Sequence, residues 1–153
     1  MGFFDGYDVA TSGMAAQRTR INIVSANIAN AQTTHSKDGG PYKKQNVVFE
    51  EVLLHAKNKT KNENINELNE IKHHRRDVGV GIKEIVESKL EHILRFEPNH
   101  PDANKDGYVA YPNINPVIEM TDLIEAMRSY EANLSAFQTQ KNMDNKTIDL
   151  LKG

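Results

Sequence analysis

Cysteine is absent from this 153-residue chain. Disulfides and thiolate metal sites are therefore excluded, and any redox compartment is compatible with the composition. An excess of charge of one sign is also missing: 19 basic and 21 acidic residues leave a net charge of −2. That balance gives no electrostatic case for nucleic acid as a partner. Aromatic residues are few, five Phe and five Tyr, and hydrophobic residues make up 38% of the chain. Such a composition argues against a large globular core and for an extended shape or burial against other chains. No run is apolar enough to span a membrane. Met1 to Val9 lacks the basic and apolar regions of a secretory signal, and Gly6 stands where a myristoylation pattern needs Ser or Thr.

Catalytic signatures are missing too. There is no G-x-S-x-G, no H-E-x-x-H and no phosphate-cradling glycine loop. None of the six His residues is spaced with a nucleophile or with other ligands in a recognisable way. The chain reads as a non-enzyme without cofactors, with room for one domain that carries long helical arms.

What is present is periodicity. From Val117 to Leu151, Met120, Met127, Leu134 and Ile148 share one heptad position, with Lys141 as the break. Leu123, Tyr130, Phe137 and Leu151 share the matching position, with Asp144 as the break. About five heptads of this kind predict a long helix of coiled-coil type, spanning roughly 52 Å. Asn115 followed by Pro116 is a sound start for it. Such a rod cannot bury its seam against itself and needs a partner helix.

The other end of the chain offers one. Over residues 5–31, Tyr7, Met14, Ile21 and Ile28 are spaced by sevens, and Ala10, Val24 and Ala31 hold the companion position, with Gln17 as the exception. Ile23 widens the stripe. Ser12-Gly13 predicts a weak point, a bend or a close approach of another backbone. Asn27 and Asn30 share a helical face. Asn30 either ends the helix in a left-handed conformation or, with Asn27, bonds across to neighbouring helices and sets register.

Between the helices the chain is mixed. Residues 32–41 are polar, with a Gly39-Gly40-Pro41 break, and read as loop. Residues 42–54 form a strand candidate that can also turn helical near Glu50. Residues 55–76 hold six Lys or Arg against three Glu and little apolar content, and are expected to be a mobile surface loop. Residues 78–96 return to β character. Val78, Val80 and Ile82 alternate, and Ile85 and Ile93 break the alternation, which predicts a bulge or a turn. Residues 107–111 form a further short strand. The expected fold is α+β and mainly helical. Long N- and C-terminal helices form a coiled-coil-like pair with a small antiparallel β unit between them. The expected division is 1–35, 36–114 with the loop 55–76, and 115–153.

One loop looks chemical. Asp102, Asn104 and Asp106 followed by Gly107 match the first half of a calcium loop. The second half fails, because Asn113 stands where a bidentate Glu belongs. The plainer reading is a loop whose Asp and Asn side chains bond their own backbone while Gly107 takes positive φ.

Two stretches together resemble the bacterial flagellar rod and hook (axial) protein family. Ser12 to Gln17, SGMAAQ, running to Ser25 to Ala31, SANIANA, is similar to that family's N-terminal signature. Met120 to Asn133, MTDLIEAMRSYEAN, is similar to its C-terminal signature. The stretch His100 to Asn113, HPDANKDGYVAYPN, narrows the resemblance to a proximal rod member. The resemblance implies a structural subunit that stacks helically in the periplasm into the drive shaft between motor and hook. It also implies export through the flagellar type III apparatus without a cleaved signal peptide. Implied partners are further copies of the chain, other rod proteins and the export-gate or ring junction, with no membrane span of its own. The expected assembly interface is Met14, Ile21, Val24, Asn27, Ile28 and Asn30 on the first helix, with Met120, Leu123, Met127, Tyr130, Leu134, Phe137, Ile148 and Leu151 on the second. The competing readings are a soluble helical-hairpin adaptor or chaperone that binds a partner helix, and a calcium-responsive module.

Overall fold

The computed structural model describes residues 5–37, 39–54 and 78–152. Its elements run α1 (Asp5–Ala29), β1 (Gln45–Leu53), β2 (Val78–Glu87), β3 (Ile93–Phe96), β4 (Tyr108–Tyr111) and α2 (Pro116–Lys152). The expected loop 55–76 lies outside the described residues.

α2 is 37 residues long, about 55 Å at the α-helical rise. It starts where the sequence predicts. The Val117 amide donates to Asn115 Oδ1 at 3.0 Å, and Pro116 fills the first helical position, where no amide is needed. α1 ends at Ala29. Asn30 closes it through its backbone amide and its side-chain Nδ2, both of which donate to the Ala26 carbonyl, at 3.0 and 2.9 Å. This differs from the expected left-handed cap: among the described residues only glycines have positive φ.

The two helices pair antiparallel within the chain. Asn27 meets Glu119, Arg20 meets Asp122, Gly13 lies against Asn133, and Tyr7 meets Phe137 and Asp144. The coiled-coil-like pair of terminal helices is therefore as expected, and α1 is the partner that α2 needs. The seam on α2 differs in phase from the expected one. The residues turned towards α1 are Glu119, Ala126, Asn133 and Gln140, spaced by sevens, with Leu123, Tyr130, Phe137 and Asp144 beside them. Met120, Met127 and Leu134 sit one position further on and remain 51%, 47% and 36% exposed. The reason lies on α1, whose buried positions are small or polar: Ala10, Ala16, Val24 and Asn27. Small residues let two helix axes approach, and that approach suits Ala126 and Asn133 rather than methionines. The close contact predicted at Gly13 is present. It is made by the Asn133 side chain, which lies 2.9 Å from where a Cβ would be.

The β part divides into two two-stranded antiparallel sheets, β1–β2 and β3–β4. Residues 45–53 stay extended through Glu50. The break at Ile85 is a bulge: Val48 pairs with Glu84 and Phe49 with Ile82, so Lys83 is the extra residue. That insertion returns Ile85 to the face that carries Ile82. The break at Ile93 is the start of the second sheet. α1 guards the outer edge of β2, where the Val80 amide donates to Ser12 Oγ at 3.1 Å. The Gly39-Gly40 turn uses φ of 82° and 79° at its two glycines.

Candidate assembly surface and the buried polar cluster

Two of the most buried side chains among the described residues are polar. Asn27 and Glu119 are each 1% exposed. Asn27 uses its full capacity: Nδ2 donates to the Gln45 carbonyl at 2.9 Å and to Glu119 Oε2 at 3.0 Å. Its Oδ1 accepts from the Gln45 amide at 3.0 Å and from the Tyr42 hydroxyl at 3.2 Å. A primary amide has two donors and two acceptor positions, and all four are engaged. Lys44 Nζ, mostly buried, pairs with Glu119 Oε1 at 2.5 Å. The cluster thus ties α1, α2 and the start of β1 at one point. Burial raises the Tyr42 hydroxyl pKa first, and the nearby Glu119 and Glu87 charges add to that. A groove of about 310 Å³ opens beside the cluster, between α1 and β1, lined in part by Arg20, Ile23, Phe49 and Asp122.

Asn27 therefore bonds across to the second helix, as one of the two readings holds, and it does so within one chain. Asn30 does not; its side chain bonds locally to Ala26 and accepts from Thr33 Oγ1 at 3.1 Å. Glu119, Lys44 and Tyr42 escape the heptad reading. The available signal is the seven-residue series Glu119, Ala126, Asn133, Gln140, which matches the small and polar face of α1 but carries no apolar mark.

The other end of the pair is held by an aromatic contact and one short hydrogen bond. The Tyr7 and Phe137 rings lie edge to face with centroids 4.9 Å apart. The Tyr7 hydroxyl donates to Asp144 Oδ2 at 2.6 Å. That bond, then burial, then the carboxylate charge push Tyr7 from its ordinary 10.0 up to about 12. The folded state holds the proton more tightly than the unfolded chain. The contact's stabilisation is thus complete below pH 10 and is lost as pH rises through about 12. A phenolate absorbance titration is expected to show a tyrosine that ionises near pH 12 and disappears in Tyr7→Phe. Loss of no late step in that variant contradicts the contact.

The expected interface residues fall into two groups. Val24 and Asn27 are buried, and Met14, Ile21, Ile28, Asn30, Leu123, Tyr130 and Phe137 are half-buried around the α1–α2 pair. Met120, Met127, Leu134, Ile148 and Leu151 point outward. With Val117 and Ile124, 71% and 52% exposed, the first three form an apolar stripe along the first half of α2 that nothing in the described chain covers.

The Asp102–Gly107 loop follows the plainer reading at Asn104 and Gly107, and departs from it at Asp102, whose side chain bonds Thr34 and not its own backbone. Asn104 Oδ1 accepts from the Asp106 and Tyr108 amides, both at 2.9 Å, and Gly107 has φ 80°. Asp102 Oδ2 accepts from Thr34 Oγ1 at 2.7 Å. Asn104 Oδ1 and Asp102 Oδ2 are thus turned onto the chain itself. Beside it, the Tyr111 hydroxyl donates to Glu97 Oε2 at 2.9 Å, and this bond is the main cause of its raised pKa.

Two family models match the segments that form the pair. "Flagella basal body rod protein" covers residues 8–34, and "Flagellar basal body rod FlgEFG protein C-terminal" covers residues 105–150. Whole-chain relatives decide the matter. The flagellar basal-body rod protein FlgC of Borreliella burgdorferi is 36% identical across all of both chains. That of Aquifex aeolicus is 39% identical over 99% of each, and that of Salmonella typhimurium 33% over 98% of each.

The chain belongs to the flagellar basal-body rod protein FlgC family.

It is a structural subunit of the basal-body rod. Among the described residues no helix is long and apolar enough to cross a membrane.

Proposed function

We propose that this subunit builds the proximal part of the rod, the periplasmic drive shaft that carries torque from motor to hook. Its terminal segments, residues 1–35 and 115–153, serve as the assembly core around the middle part 36–114. In this reading one side of α2 is consumed by α1, and the outer stripe of Val117, Met120, Ile124, Met127 and Leu134 meets neighbouring subunits. The observation that supports it is that stripe: five apolar side chains on one helix face, left in water by the chain's own fold. The neighbours are further copies and other rod proteins, with the export-gate or ring junction at the base. Export proceeds without a cleaved signal peptide.

The test is a double substitution, Met127→Glu with Leu134→Glu. Both side chains are exposed, so the folded chain is expected to keep its stability within about 1 kcal/mol and its helical circular dichroism. Basal bodies isolated from cells carrying it are expected to lack rods. Normal rods would overturn the reading.

A further inference from the structure

The buried cluster at the start of α2 holds an amine, a primary amide and one carboxylate that touches both. Lys44 Nζ lies 2.5 Å from Glu119 Oε1, and Asn27 Nδ2 donates to Glu119 Oε2 at 3.0 Å. The two oxygens of one carboxylate thus hold the amine nitrogen and the amide nitrogen side by side. Asn27 and Glu119 are each 1% exposed, and the Lys44 side chain is 22% exposed. The second Nδ2 proton of Asn27 goes to the Gln45 carbonyl at 2.9 Å, which fixes the plane of the amide. Its Oδ1 accepts from the Gln45 amide at 3.0 Å and from the Tyr42 hydroxyl at 3.2 Å. Two donors on a carbonyl oxygen draw electrons from the carbonyl carbon and are placed to hold an oxyanion. Burial and the nearby carboxylates raise the Tyr42 pKa, so that hydroxyl keeps its proton and remains a donor.

The geometry points to an amide bond between Lys44 Nζ and Asn27 Cγ, which the folded chain forms on itself with Glu119 as the catalytic proton carrier. Glu119 first takes a proton from the Lys44 ammonium, which leaves a neutral amine and removes two charges from a site nearly without water. The amine nitrogen attacks Asn27 Cγ, and the carbonyl electron pair moves onto Oδ1, between the Gln45 amide and the Tyr42 hydroxyl. Glu119 gives its proton to Nδ2 and takes a second one from Nζ. Collapse restores the carbonyl, breaks the Cγ–Nδ2 bond and releases ammonia. The product is a secondary amide, and no oxidant, reductant or co-reactant is consumed.

The bond joins α1 to the residue just before β1 and closes the stretch 27–44 into a ring. Its catalyst comes from a third segment, α2. Only a chain in which α2 has docked on α1 can react, so the bond forms after folding and records that the helix pair was made. In a subunit that carries torque, it holds the end of α1 to the sheet by a covalent link where the salt bridge alone would yield.

The test is the mass of the full-length folded chain, purified by itself and taken from isolated rods, and measured after denaturation. Most of the chains are expected to weigh one ammonia less than the sequence. A tryptic digest is expected to yield a branched peptide in which Lys44, uncut, carries the segment 21–37. Lys44→Arg keeps a cation beside Glu119 and removes the nucleophile. Glu119→Gln keeps the shape and removes the proton carrier. Both are expected at the full mass of their sequences. The unaltered chain decides the matter without any variant that could misfold: at full sequence mass in both preparations it carries a salt bridge only, and the bond is overturned. An ammonia loss that persists in Lys44→Arg lies elsewhere in the chain and overturns it as well. The branched peptide at full yield in Glu119→Gln would overturn the catalytic role of Glu119. Each of these results leaves the rod reading standing.

Discussion

Replacing Glu119 by alanine is expected to cost about 3–5 kcal/mol of folding free energy, the range for breaking a buried charge pair by removing one partner. The loss has two parts. Lys44, mostly buried, loses the carboxylate at its ammonium. Asn27, 1% exposed, loses the acceptor of one Nδ2 proton and keeps it in a dry site. For a chain of this size, 1 kcal/mol moves the melting temperature by about 2–4 °C, so thermal unfolding followed by circular dichroism is expected to fall by roughly 10 °C. Glu119→Gln keeps an oxygen for Asn27 and removes only the charge, and should lose less. The effect is also local in consequence. The cluster joins α1, α2 and β1 at the start of α2, so hydrogen exchange should rise first at residues 24–27 and 45–47. An unchanged melting temperature in Glu119→Ala would show that the cluster contributes no net stability.

The second large effect is expected at Gly13. A Cβ there would lie 2.9 Å from Asn133 Oδ1 and 3.0 Å from its Cγ and Nδ2. Asn133 is itself held, with Nδ2 donating to the Ser129 carbonyl at 2.9 Å. Gly13→Leu forces the helices apart at mid-length and is expected to cost about 1–3 kcal/mol, the range for overpacking. Gly13→Ala is a closer balance, because alanine gains about 1 kcal/mol of helix propensity over glycine and loses a similar amount to the clash. The two effects separate in a cycle. With Asn133→Ala in the background, Gly13→Ala is expected to stabilise, since the obstacle is gone and the propensity gain remains. Urea melts of the four chains measure this coupling, and additive values would show that Gly13 and Asn133 do not touch.

These two sites mark the difference between a pattern and a packing. The N-cap at Asn115, the glycine turn at 39–40 and the bulge near Ile85 were legible because each depends on a local rule. A proline at the first helical turn, positive φ and a two-residue side-chain period act over a few residues. Gly13 was legible as a weak point in a helix, and its reason, Asn133, was not. The Asn27 amide was legible as a register device. Its partners Glu119, Lys44 and Tyr42 were not, because they come from three separate segments.

From the residues alone came two long heptad-patterned terminal helices, short strands between them and a likeness to the axial family, all of which follow from periodicity and local signatures. Which heptad row of α2 faces α1 was decided by tertiary structure. The apolar row of Met120, Met127 and Leu134 has the stronger hydrophobic mark, yet the row Glu119, Ala126, Asn133 and Gln140 takes the seam. Periodicity registers how apolar a stripe is. It does not register that α1 presents Ala10, Gly13 and Asn27, a narrow and partly polar surface on which small side chains and matched hydrogen bonds pack better than methionines.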